Sequence, residues 1–297
     1  MPVGAINTNP VKAAFWMIGA MLSFTLMAVA GRALYGHLDT FEIMLYRSLL
    51  GIVIVVIIAW KAGTLGQINA GKVHLHVIRN VCHFTGQNLW LYAVALIPLS
   101  QLFAFEFSTP LWVALLAPFF LQEQWTLTRV MVVVTGFVGV LIVARPDIAV
   151  VNTATVAAAL CAIGFAGTVL STKLLARTET VTCIMFWLVS LQGLFGLLCA
   201  GFDGDIAMLN SDTWHWALLV GLCGLIAHFC ITNALKIAPA TVVTPLEFLR
   251  LPLIAVIGYL FYDEPLLLSV FIGTMIIFIA NIINLRAEAR LASVPPL

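Results

Sequence analysis

"IPLSQLFAFEFSTPLWVALLAPFFLQE", residues 97–123, carries one charge between Leu99 and Leu121, the carboxylate of Glu106. An apolar run of that length crosses a bilayer as a helix. A charged side chain near the bilayer centre costs on the order of 3 kcal/mol or more, so Glu106 needs a task or a partner. The rest of the chain has the same character. Of 297 residues, 62% are hydrophobic and 9% charged. A soluble chain so composed would lack the polar residues to cover its surface. Ten mostly apolar runs are predicted to span: 13–34, 41–60, 75–97, 99–121, 130–145, 154–174, 181–201, 214–235, 241–262 and 266–285. Barrel strands would be about ten residues long with strict alternation. Continuous runs instead satisfy their backbone as helices, so the expected fold is an all-α integral membrane bundle.

The net charge of +1 implies no nucleic-acid partner. The six cysteines fall inside apolar runs without CxxC spacing and read as small packing residues. The first run continues to Leu34 without a small-residue cleavage site, so it reads as a retained span. Lysine and arginine gather on one side of the chain's turns. Lys12, Lys61, Lys72, Arg79, Arg129, Lys173, Arg177, Lys236, Arg286 and Arg290 share a side, with only Arg32 and Arg145 opposite. The positive-inside rule therefore places both termini in the cytoplasm.

The chain also repeats itself. A shift of 141 residues pairs Glu106 with Glu247, Glu123 with Glu264, Arg32 with Lys173, Arg145 with Arg286 and Asp147 with Glu288. It also pairs Pro98 with Pro239, His74 with His215, Cys82 with Cys223 and Phe107 with Phe248. Residues this scarce decide the register, since apolar matches mean little here. The shift covers five spans, an odd number, so the second copy enters the membrane from the other side. Residues 1–146 and 147–297 are expected to form an inverted repeat of five plus five helices, which offers a route to alternating access.

Two blocks carry the repeat's proline and glutamate pattern, residues 97–123 and "IAPATVVTPLEFLRLPLIAVIGYLFYDE" at 237–264. They resemble the signature of the drug/metabolite transporter superfamily, with its tandem EamA-type domains. Arg47 in "FEIMLYRSLLG" is similar to the arginine of that family's second helix. The resemblance implies a ten-helix basket around a central cavity that moves small organic solutes. Its members export amino acids and drugs, or take up S-adenosylmethionine, riboflavin or nucleotide sugars. It also implies that Glu106 and Glu247, in spans four and nine, stand beside the cavity.

Several residues are candidates for solute binding or coupling. Glu247 has Arg250 within one helical turn, a spacing that allows an ion pair. Glu106 has no such local base. It reads either as a proton or substrate-ammonium site, or as a structural carboxylate paired with Arg47 or Arg79. Arg79, His83, Gln87 and Trp90 recur at helical spacing as one polar stripe on span three, and Gln87 corresponds to His228 in the repeat. The stripe faces either water or a helix–helix seam. Phe103, Phe107 and Trp187 are candidate apolar walls of the cavity.

A membrane enzyme is the competing class. His74, His76 and His83 are close in sequence, but His74 and His76 fall on different faces and no acid stands at metal-ligand spacing. Nor does the chain contain GxSxG, HExxH or a P-loop. The expectation is a non-enzymatic secondary transporter of a small organic solute in a bacterial inner membrane. No metal or cofactor is expected, the bilayer and the solute are the partners, and a proton is a candidate coupling ion. Reporter fusions after Lys61, Arg129, Arg177, Lys236 and Leu297 should read as cytoplasmic. Fusions after His37, Asp147, Asp203 and Asp263 should read as exterior, and cytoplasmic signals at both Asp147 and Asp203 would overturn the ten-span topology.

Overall fold

The computed structural model describes residues 10–121, 127–144, 152–202, 204–237 and 250–292, and among them every regular element is helical. The helices are α1 (Pro10–Ala33), α2 (Thr40–Lys61), α3 (Val73–Leu96), α4 (Leu99–Glu106), α5 (Thr109–Leu121) and α6 (Leu127–Ala144). They continue as α7 (Thr153–Leu175), α8 (Val181–Ala200), α9 (Trp214–Ile237), α10 (Arg250–Tyr262) and α11 (Leu268–Ala292). Their ends follow from local chemistry. Gly36, at φ 82°, makes the turn before α2. Asp39 then accepts from the Glu42 N–H while the Glu42 carboxylate accepts from the Asp39 N–H, each at 2.8 Å, closing a capping box. Asn152 and Thr180 cap α7 and α8 in the same manner.

The run 99–121, expected as one span, is interrupted immediately after Glu106. Pro110 has no N–H to return to the Glu106 carbonyl. The Ser108 N–H and hydroxyl both turn back to the Phe105 carbonyl, at 2.9 and 2.6 Å, and helix resumes at Thr109. Glu106 consequently sits at the carboxyl end of a half-helix. The run 241–262 lies partly outside the described residues, and α10 is its described part.

By length and composition six helical segments could cross a membrane: α1, α2, the α4–α5 run Leu99–Leu116, α7, α8 and α9. Val130–Val143, Leu253–Tyr262 and Leu268–Ala280 are shorter apolar segments. Large apolar side chains such as Val53, Ile58, Leu141, Leu198 and Phe261 point outward, as a lipid-facing surface requires. Trp60 and Trp214 are exposed at helix ends, where belt residues belong. Trp125, Glu123 and Asp147 lie outside the described residues.

The principal packing joins one half of the chain to the other. Helix α1 packs on α9, α2 on α8, α3 on α7, α4 on α10 and α6 on α11. In the 141-residue register α3 falls on α9, α2 on α8, α1 on α7, and α6 on the start of α11. Exchange of the halves therefore converts the α1–α9 contact into α7–α3 and maps α2–α8 and α6–α11 onto themselves, while α5 falls on α10. Glycines allow the closest approaches. A Cβ on Gly164 of α7 would stand 2.8 Å from the Gly86 Cα and from the Cys82 carbonyl of α3. Likewise, a Cβ on Gly139 of α6 would meet the Gly273 carbonyl of α11 at 2.7 Å.

Gly164→Ala should push α7 off α3 and lower stability by about 1–3 kcal/mol, the usual cost of overpacking. Thermal unfolding of the purified protein checks this, with Gly66→Ala, which meets nothing within 4 Å, as the neutral control.

Candidate solute-binding site

Two polar clusters lie in the interior, joined along α3. The first surrounds Glu106. Its carboxylate pairs with Arg250 of α10 and accepts from Trp90 Nε1 at 2.8 Å. The Arg250 guanidinium lies over the rings of Phe103, Phe24 and Phe107, with its Cζ 4.5, 5.1 and 5.4 Å from their centroids. Trp90 meets Phe103 edge to face at 6.1 Å. Trp90, Phe103, Glu106, Phe107 and Arg250, five of the sequence candidates, thus form one unit. The cation at the end of α4 also complements the negative end of that half-helix.

This changes one expectation. Neither Arg47 nor Arg79 is the partner of Glu106. Arg250 reaches across from the other half of the chain, a contact that local spacing does not reveal. Glu247, the neighbour expected for Arg250, lies outside the described residues.

The second cluster centres on two imidazoles. His83 Nε2 of α3 stands 3.1 Å from His228 Nε2 of α9, so one ring donates to the other. Arg47 of α2 and His228 line one narrow cleft with Ser48, Gln192, Gly221 and Gly224. The α9 backbone approaches Arg47 closely, since a Cβ on Gly224 would lie 3.0 Å from Arg47 Nη2. Arg79 stands one turn before His83, and its Nε donates to Thr172 Oγ1 at 2.8 Å. Both guanidinium charges act on both imidazoles. Phe24 links the clusters, edge to face with His228 at 5.8 Å and beneath Arg250.

The two clusters differ in charge balance. Arg250 is neutralised by Glu106, whereas Arg47 and Arg79 have no carboxylate partner among the described residues. For Arg47 the side-chain contact is a weak one, Nη1 to Met44 Sδ at 3.6 Å. Arg79 Nη1, His83 Nδ1, Gln87 Nε2 and Gln192 Oε1 are buried without a hydrogen-bond partner. Unmatched cationic donors in a buried cleft suit an anionic group.

The expected stripe on α3 is thus real as a face, and it is buried: Arg79, His83, Gln87 and Trp90 are each at most 3% exposed. Trp187 stands apart from it. Its Nε1 donates to the Asn69 carbonyl at 2.8 Å and its ring stacks on His76 at 5.7 Å, near the start of α3. Asn80 and Gln192 were not among the sequence candidates, yet Gln192 Nε2 donates to Asn80 Oδ1 at 3.1 Å beside the cleft. Their presence as amides inside apolar runs was the available signal. Away from the centre, Arg32 at the end of α1 pairs with Glu264. Arg32 also donates to the Val94 and Ile97 carbonyls at 2.7 and 2.6 Å, while Glu264 accepts from the Leu99 N–H at 2.8 Å. Glu264 therefore brackets the α3–α4 turn.

An all-helical bundle with an apolar exterior and a polar, buried interior shared by both halves defines a multi-pass membrane protein. The sequence matches the EamA-like transporter family over residues 11–145 and again over 152–286, in the register of the repeat, and the chain belongs to that family. It is 24% identical over 280 residues to an S-adenosylmethionine uptake transporter of Rickettsia felis, covering 94% of both chains. It is 30% identical over 218 residues to a riboflavin transporter of Rhizobium johnstonii, covering 72% of this chain and 71% of that one. A solved crystal structure shares the fold with a TM-score of 0.67 at 16% identity, covering 95% of this chain and 99% of that one.

Glu106→Gln should leave Arg250, whose side chain is 3% exposed, buried without its counter-charge. Breaking such a pair costs about 3–5 kcal/mol, read as a lower melting temperature of the purified protein. Adding Arg250→Met should recover much of that loss, whereas a fully stable single variant would show that the pair contributes nothing.

Proposed function

We propose that this chain is a secondary transporter that moves a small organic solute bearing a carboxylate or phosphate across the bacterial inner membrane. In this reading it works by alternating access, through ten spans arranged as two inverted five-helix repeats, 1–146 and 147–297. Family membership and the names of the relatives support solute transport. The observation that carries the choice of solute is the pair of buried guanidiniums, Arg47 and Arg79, flanking the His83–His228 contact with no carboxylate partner among the described residues. An anion entering the cleft supplies the missing counter-charge and accepts from donors already oriented there. Gln87 and Gln192 add neutral hydrogen bonds, and Phe24 gives an apolar wall. Among the relatives' solutes, S-adenosylmethionine carries a carboxylate, while neutral riboflavin has no anionic group, so this chemistry favours an amino-acid-like or phosphorylated solute. Glu106, already paired with Arg250, holds the α4 and α10 walls in place, and the imidazole pair is the candidate for carrying a coupling proton. The repeat-related helix pairings support a reading in which two access states lie close in energy and modest differential binding shifts their populations.

A thermal-shift screen of the purified protein with carboxylates, phosphates, neutral solutes and cations tests the choice of solute. A ligand at a hundred times its Kd adds about 2.7 kcal/mol to apparent stability. Anionic solutes should raise the melting temperature, and Arg47→Gln or Arg79→Gln should abolish the shift without lowering the ligand-free value, because each removes an uncompensated buried charge. Stabilisation by cations or neutral solutes alone, unaltered in both variants, would overturn it.

A further inference from the structure

The end of the molecule where α2 leads into α3 and α7 leads into α8 carries a third cluster. His76 of α3, Glu179 in the α7–α8 turn and Cys183 of α8 each bring one donor atom to a common point, all within 4.8 Å of one another. Cys183 Sγ lies 3.9 Å from His76 Nε2. On a tetrahedral zinc, with Zn–S about 2.3 Å and Zn–N about 2.1 Å, those two atoms stand about 3.6 Å apart. The separation fits after a shift of a few tenths of an ångström. His76 and Cys183 are fully buried, and His76 Nδ1 has no hydrogen-bond partner among the described residues. The ring nitrogen that faces Cys183 is the other one, Nε2, and it is the ligand atom.

An outer layer already orients the donors. Asn69 Nδ2 donates to Glu179 Oε2 at 2.9 Å, and the Asn69 carbonyl lies 3.6 Å from Cys183 Sγ. Trp187 donates to that same carbonyl and stacks on His76. Partners of this kind fix ligand geometry in metal sites. Charge also balances: on binding, the Cys183 thiol gives its proton to solvent, and thiolate plus carboxylate cancel a divalent cation. Arg79, one turn along α3, opposes a bare cation, but its Nε is turned to Thr172 and the two anionic ligands outweigh it. A thiolate, an imidazole and a carboxylate together select zinc-like ions over magnesium or calcium.

We infer that His76, Glu179 and Cys183 form a zinc-class metal site that clasps the two halves of the protein. One ligand comes from α3 in the first half and two come from the α7–α8 hairpin in the second, so an occupied site ties their contact at this end. Sequence spacing gave no sign of it, because His76 is over a hundred residues from its partners.

Equilibrium titration of the purified full-length chain with Cd²⁺, followed by the ultraviolet thiolate-to-metal band, and with Zn²⁺ in chelator buffers tests the site. One ion per chain is expected. Cys183→Ser should remove the band, although the five other cysteines are also unpaired. His76→Gln and Glu179→Gln should each weaken Zn²⁺ by at least about a hundredfold, beyond the roughly 10–100-fold cost of losing an outer-shell partner. Zn²⁺ should also raise the melting temperature and slow amide exchange at the starts of α3 and α8 in the native sequence but not in Cys183→Ser, whose metal-free melting temperature reports that it folds. Absence of saturable binding, or a band retained in Cys183→Ser, would overturn the site. Binding without added exchange protection at both helix starts would overturn the clasp.

Discussion

Charge matching inside an apolar bundle is the constraint from which the rest of this structure follows. A guanidinium or carboxylate taken out of water loses several kcal/mol of solvation, and a well-placed partner restores it. Glu106 and Arg250 are such partners, drawn from opposite halves of the chain. The break after Glu106 is what lets them meet. It ends α4 at the carboxylate, frees the last carbonyls of that half-helix and presents a negative terminus to the cation at the start of α10. Trp90 and three phenylalanines complete the enclosure, with Trp90 donating to the carboxylate and the rings stacked on the guanidinium.

Against that neutralised pair, Arg47 and Arg79 stand out. The same chain that matches Arg250 and Arg32 leaves these two without carboxylates among the described residues. An uncompensated buried cation lowers stability, and proteins retain such groups where a ligand supplies the difference. The close approach of Gly221 and Gly224 to Arg47 adds to this point, because small residues let the backbone of α9 lie against the guanidinium and narrow the cleft. Charge and shape therefore converge at Arg47, in the cleft between α2, α8 and α9.

Much of this was legible in the sequence, and the failures have a common physical cause. Composition and run length sufficed for an all-helical membrane protein, since lipid leaves the backbone few alternatives. Rare charges revealed the 141-residue register, and the helix boundaries follow it closely. Helical periodicity placed Arg79, His83, Gln87 and Trp90 on one face. What periodicity cannot supply is a partner from another helix. Local spacing left Glu106 to Arg47 or Arg79, but the contact that forms spans 144 residues. The same limit hid Arg32–Glu264 and the meeting of His76 with Glu179 and Cys183. The break in the fourth run was hidden differently: Pro110 was visible, but its effect depends on Ser108 turning back onto Phe105.

The pairing of helices explains why partners are so distant in sequence. The strongest helix pairings each take one member from either half, so much of a helix's packing comes from the other copy. Interactions that stabilise the fold are then the same interactions that set how the halves sit against each other. Glu106–Arg250 and Arg32–Glu264 both cross the boundary, and so do the glycine contacts between α3 and α7 and between α6 and α11. Under the 141-residue shift the α2–α8 and α6–α11 contacts fall on themselves and α1–α9 falls on α7–α3. Side chains without counterparts in the repeat break that equivalence. Arg250 corresponds to Thr109 and Arg47 to Leu188, so the charged interior is not symmetric although the packing is. The repeat therefore governs how the helices pack, while these unmatched residues decide where charge is placed between them.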